Sequence, residues 1–256
     1  MTTRDSEALK KNALIIGASR GIGAGFAKAL AARGDFGRVI CAARQPASSE
    51  ALRHLAATSS ICTTIELDVT DEESIIAAAA NIASLPGHLD LVINTVGLLH
   101  DDAMRPERRL QDIEARNIRR SFEVNSIAPL MLAKHLCGLL PKREPCVWAT
   151  LSARVGSISD NRLGGWYAYR AAKAAQNMFN KTLSIELKRT HKKICVVALH
   201  PGTVATDLSA PFRSNVTADN LFTVETSVEH LLRVIDNLGE NDNGSFYAWD
   251  GQKIPW

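Results

Sequence analysis

Short apolar runs recur along the chain, separated by longer stretches in which apolar residues return at helical spacing. The runs at 13–16, 38–43, 62–67, 89–93, 146–151, 194–199 and 245–249 predict strands. The stretches at 22–33, 49–57, 71–84, 108–140, the segment carrying Tyr169 and Lys173, and 226–238 predict helices. Strand and helix signals alternate without a linker, repeat or low-complexity break. That pattern predicts one α/β domain, a parallel sheet of about seven strands wrapped by helices on both faces.

Composition fits this picture. A chain of 256 residues with 46% hydrophobic content can build one large core. Residues 1–11 are polar and predict a flexible tail, leaving 12–256 as the domain. The formal net charge is only +3, and the densest charged patch, 105–120, mixes signs. Nucleic acid is therefore not expected as a partner. Cys41, Cys62, Cys137, Cys146 and Cys195 are scattered through mostly apolar runs, as reduced thiols of a cytoplasmic protein would be. No HxxxH or CxxC spacing suggests a metal, and neither an export signal nor a membrane span is expected.

Candidate chemistry begins at the first strand–helix junction. GASRGIG places Gly17, Gly21 and Gly23 where a backbone must turn sharply. Such a turn opening a helix offers free N–H groups to a pyrophosphate, although the same residues also suit a plain tight turn. The second strand ends at Arg44 with no acidic residue beside it. Together with Arg20 inside the turn, this favours NADP over NAD, unless both arginines are ordinary surface residues. Asp68 closes the third strand on the side where ligands of open parallel sheets bind, and it also suits the start of the TDEE helix signal. Asn125 lies in the apolar run FEVNSIAPLML and needs a buried partner, for which a carbonyl freed by Pro129 is one candidate. Tyr169 and Lys173 stand four residues apart and share a helix face. An ammonium beside a phenol favours the phenolate, while a half-buried aromatic next to a solvated lysine is the alternative.

Taken together, GASRGIG, then NTVG after the fourth strand, then YRAAK after the fifth resemble the short-chain dehydrogenase/reductase family from about Asn12 through residue 256. Within it, SISDNRLGGWYAYRAAKAA and FYAWDGQKIPW are similar to the C-factor and Sniffer-like carbonyl reductase group. The resemblance implies a Rossmann-type doubly wound fold and hydride transfer between NADPH and a small ketone, aldehyde or alcohol. It implies that Tyr169 exchanges the proton, that Lys173 holds the nicotinamide ribose and biases the phenol, and that Asn125 holds a water of the proton relay. Gly17, Ser19, Arg20, Gly21, Ile22 and Gly23 would seat the pyrophosphate, and Arg44 the 2′-phosphate. Asp68 and Val69 would border the adenine, and Asn94 and Gly97 the ribose. The turn of Pro201, Gly202 and Val204 would bring Thr206 to the carboxamide. Homodimers and homotetramers are common in the family. A second implied reading is an NADP(H)-binding signalling or developmental protein with weak or no turnover.

Two positions depart from the family pattern. Ile16 stands where a threonine is common, and the serine usual three residues before a glycine at the end of the fifth strand falls on Ala153. Ser152 is the nearer substitute and Ser157 a second. Side chains alternate faces along a strand, so Ser152 points away from the site unless the strand end bends. The substrate pocket is expected from the loop after Gly97, the loop at 155–165 and a lid at 210–221, with Trp166 and Phe212 as candidate walls.

Overall fold

Continuous apolar runs make strands that must be covered on both faces, and the structure covers them. The computed structural model describes residues 10–211, 217 and 220–256. Strands β1 (Lys11–Ile16), β2 (Phe36–Ala43), β3 (Cys62–Glu66), β4 (Leu91–Asn94), β5 (Cys146–Leu151) and β6 (Ile194–His200) lie in one sheet. Two short strands follow, β7 (Thr203–Val204) and β8 (Leu221–Phe222), which pair with each other. The sheet ends with β9 (Ser245–Ala248). Its order is β3-β2-β1-β4-β5-β6-β9, and every neighbouring pair is parallel. The chain builds outward from β1 to β3, then returns to build the other way from β4. The reversal lies between β1 and β4, the place where such sheets bind ligands beyond their C-terminal ends.

The helices are α1 (Gly21–Ala32), α2 (Glu50–Thr58), α3 (Glu72–Ala83), α4 (Ala115–Phe122), α5 (Ala128–Leu136), α6 (Tyr167–Leu187) and α7 (Val224–Asp236). Alternation along the strands divides the core. Ala13 and Ile15 pack with Phe26 and Leu30 of α1 and Leu231 of α7. Leu14 and Ile16 pack with Ile75 of α3 and Leu132 of α5 on the other face. The fold is thus the single-domain, seven-stranded doubly wound sheet that the pattern predicts.

Some boundaries differ. β1 begins at Lys11, inside the stretch read as tail, where it pairs with Phe36. The long helix expected over 108–140 starts only at Ala115. Ahead of it, Asp112 Oδ2 accepts from the backbone N–H groups of Arg108 and Arg109, both at 3.2 Å, and holds a local turn that competes with helix. The helix is then interrupted by a π-helical turn, Glu123–Ile127, before α5. Phe212 and most of the expected lid lie outside the described residues, and Leu221, at its end, belongs to β8. All five cysteines are free, and no described helix is long and apolar enough to cross a membrane.

Candidate active site

A cleft of about 580 Å³ opens where the strand order reverses. Its floor is the turn between β1 and α1. Gly17 has φ 86°, and a Cβ there would stand 2.7 Å from Thr95 Oγ1. At Gly23 a Cβ would stand 2.2 Å from the Gly17 carbonyl oxygen, so neither position accepts a side chain without the turn opening. Thr95, just past β4, donates its hydroxyl to the Ile16 carbonyl at 2.8 Å. It supplies the support that Ile16 itself lacks. Helix α1 has no side-chain cap and no acidic residue in its first turn, and Ser19, Arg20, Gly21 and Ile22 line the cleft. The N–H groups of that turn have no partner within the helix, so the floor fits a pyrophosphate.

Arg44, Asp68 and Val69 line one end of the cleft. Burial opposes ionisation of Asp68, but hydrogen bonds from the Thr70 backbone and hydroxyl and the charge of Arg44 outweigh it. The carboxyl is held below its usual range. Across the cleft, Arg20 pairs with Asp207 at 3.0 Å, and the His100 ring lies 3.2 Å from the carbonyls of Asp207 and Leu208. Thr206 lines the cleft, while Pro201, Gly202 and Val204 shape the turn that presents it. The Pro201 carbonyl accepts from Ser227, and Gly202, at φ 78°, leaves room for the Phe222 ring.

The other end closes on α6. Tyr169 and Lys173 are both buried, and Lys173 Nζ lies 5.8 Å from the centre of the Tyr169 ring. Neither lines the cleft itself, but Gly97 does, and a Cβ on Gly97 would stand 3.6 Å from Lys173 Nζ and 3.5 Å from Asn125 Oδ1. Burial pushes the Tyr169 phenol up and the Lys173 ammonium down to about 7. The expected pull toward phenolate is therefore not what this arrangement shows, because desolvation dominates and Nζ points its protons elsewhere. It donates to the Leu151 carbonyl at 3.0 Å and to Gln176 Oε1 at 2.8 Å. Asn125 bridges to Leu98, accepting from its N–H at 2.9 Å and donating to its carbonyl at 2.8 Å. Nδ2 also donates to the Ser121 hydroxyl at 3.2 Å, so its partners are Leu98 and Ser121 and not a carbonyl freed by Pro129.

A family model for short chain dehydrogenases matches residues 11–217. The chain is an oxidoreductase of the short-chain dehydrogenase family. C-signal of Myxococcus xanthus is 32% identical over 180 residues, covering 70% of this chain and 99% of that protein. The carbonyl reductase Sniffer of D. melanogaster superposes with a TM-score of 0.85 at 28% identity, covering 96% of this chain and 100% of the other. The NADPH-bound carbonyl reductase from chicken fatty liver superposes with a TM-score of 0.86 at 30% identity, covering 96% and 99%.

Other positions of this short-chain dehydrogenase stand apart from the cleft. Ser152 is buried and donates its hydroxyl to Asn177 Oδ1 of α6 at 2.7 Å. Even-numbered residues of β5 face α6, as Thr150 does with Asn180 at 3.4 Å, and Ser152 keeps that parity past the strand end. Ser157 is also buried, and its oxygen accepts from the Asp160 N–H at 3.2 Å. Asn94 lies beneath the cleft: Oδ1 accepts from the Val96 N–H, and Nδ2 has no partner among the described residues. Leu98, Glu107 and Gln176 support the site without a signal in the sequence, since each is an unremarked residue type until the fold brings it to its partner, whereas Thr95 is visible as part of NTVG.

Proposed function

We propose that the protein reduces a ketone or aldehyde with NADPH, with Tyr169 as the proton donor. The observation that carries this reading is the buried Tyr169–Lys173 pair behind Gly97, at the end of a cleft whose floor fits a pyrophosphate. NADPH supplies hydride to the carbonyl carbon. The chain's own part is to place and charge-balance the oxygen. Burial keeps the phenol of Tyr169 protonated, which is the form that donates to a developing alkoxide. Lys173, beside Gly97, would hold the ribose of a bound cofactor with its remaining ammonium proton, and Asn125 fixes the Leu98 backbone that borders this end of the cleft. Arg44 and Arg20 favour a 2′-phosphate at the other end, in keeping with the NADPH bound by the chicken carbonyl reductase. A second cavity of about 530 Å³, built from the loop after Gly97, meets the cleft at His100 and is our candidate for the substrate.

Ser152 is tied to Asn177, so in this reading Tyr169 alone donates to the substrate oxygen. That feature also favours the second reading, a cofactor-binding protein with little turnover, akin to C-signal in sequence. NADPH oxidation measured with a panel of aldehydes and ketones separates the two. Tyr169→Phe should lower kcat about 100-fold or more, as loss of a general acid does, and leave the NADPH dissociation constant unchanged. Tight NADPH binding by wild type with no turnover on any carbonyl would sink the reductase reading.

A further inference from the structure

Two of the three ammonium protons of Lys173 have fixed destinations, the Leu151 carbonyl and Gln176 Oε1. Gln176 is fully buried, and its Nε2 donates to the same Leu151 carbonyl at 3.1 Å. Lysine, glutamine and carbonyl thus close a ring at the end of β5. An ammonium is tetrahedral, so fixing two N–H bonds fixes the third. Nζ lies 3.6 Å from where a Cβ on Gly97 would stand, and Gly97 lines the cofactor cleft.

We propose that Gln176 is a positioning residue for Lys173, holding its ammonium so that the remaining proton is aimed into the cleft beside Gly97. The inference rests on the reductase reading and deepens it. A neutral amide suits the task better than a carboxylate would. It accepts a strong charge-assisted hydrogen bond without cancelling the charge that Tyr169 and the ribose hydroxyls feel. The titratable neighbours on the same helix are Tyr169 and Arg170, the latter donating to the Val155 carbonyl at 3.4 Å. Burial lowers the Lys173 ammonium, and the hydrogen bonds to Leu151 and Gln176 work against that loss. The ring with Gln176 and Leu151 is what steadies the ammonium.

The test follows the Lys173 side chain directly, by NMR titration of the intact protein carrying isotope-labelled lysine, with the signal identified by its loss in Lys173→Arg. Gln176→Leu removes one acceptor and should move the Lys173 midpoint down by about one pH unit, the scale of a hydrogen bond to a charged group. Gln176→Glu should move it up. In NADPH oxidation with benzil or para-nitrobenzaldehyde, Gln176→Leu should lower kcat near neutral pH about tenfold while KM for the carbonyl holds. If Gln176 only fills the core, both variants lose thermal stability with the Lys173 midpoint unmoved, and the proposal is overturned. Should Gln176→Leu fail to fold, the glutamate variant decides alone: a raised midpoint supports the proposal and an unmoved one overturns it. Shifted midpoints in a protein that oxidises no NADPH would sink the reductase reading and leave the positioning role standing. Turnover with unmoved midpoints would do the reverse.

Discussion

Lys173 is held where an ammonium is costly. In the unfolded chain it titrates near its ordinary 10.5, and in the folded chain at about 7. Between those values the unfolded state binds more protons, so stability rises with pH across the window. Below about pH 7 the folded ammonium is fully charged and the penalty is complete. Lys173→Met removes that penalty, along with the hydrogen bonds to Leu151 and Gln176. Its stability relative to wild type should therefore be most favourable near about pH 6 and should fall by about pH 9, whatever the sign of the constant part. Melting temperatures of both proteins in matched buffers provide the check. A difference that does not vary with pH would mean that Lys173 keeps its ordinary titration in the fold. Activity should be lost at both pH values, because the same burial that destabilises the lysine sets it against the cofactor cleft.

At the scale of elements, α6 depends on a residue from another segment. Glu107 is only 2% exposed. Its carbonyl accepts from the Trp166 N–H at 2.6 Å, and its carboxylate accepts from the Ala168 N–H at 3.2 Å, in the first turn of the helix that carries Tyr169. Trp166 itself sits at φ 52°, a conformation that needs such support. Glu107→Ala should cost about 1–3 kcal/mol in urea unfolding, the range for a lost cap with a buried donor left unpaired. Glu107→Gln keeps an acceptor and should recover most of that loss; equal losses in the two variants would show that the contact is not what steadies the turn. This dependence was not legible in the sequence. Periodic apolar runs made the seven strands readable, because burial on both faces leaves an unbroken signature. The start of α4 was not readable, since the Asp112 turn competes through side-chain hydrogen bonds that periodicity does not register. The glycines of the β1 turn announced themselves by type. Leu98 and Gln176 did not, because an ordinary residue becomes part of a site only through long-range pairing.

The whole molecule divides the work across the reversal of its sheet. β1, β2 and β3 carry the glycine turn, Arg44 and Asp68, whereas β4 and β5 lead to Gly97, Leu151 and the face of α6 with Tyr169 and Lys173. Substitutions on the two sides should therefore fail in different ways. Arg44 lines the cleft beside Asp68, whose carboxylate its charge helps to keep ionised. If Arg44 receives a 2′-phosphate, Arg44→Ala should weaken NADPH about 10–100-fold, as expected for hydrogen bonds to a charged group. NADH, which lacks that phosphate, should bind nearly as before. The NADPH affinity of wild type should also fall as salt is raised, and more steeply than that of the variant, because the exposed ion pair is screened. The kcat at saturating NADPH should stay close to wild type, since the chemistry is assembled on the other side of β1. Fluorescence titrations with both nucleotides at low and high salt measure all of this. Unchanged selectivity between NADPH and NADH would remove Arg44 from the phosphate site and leave Arg20, paired with Asp207 across the cleft mouth, as the remaining candidate.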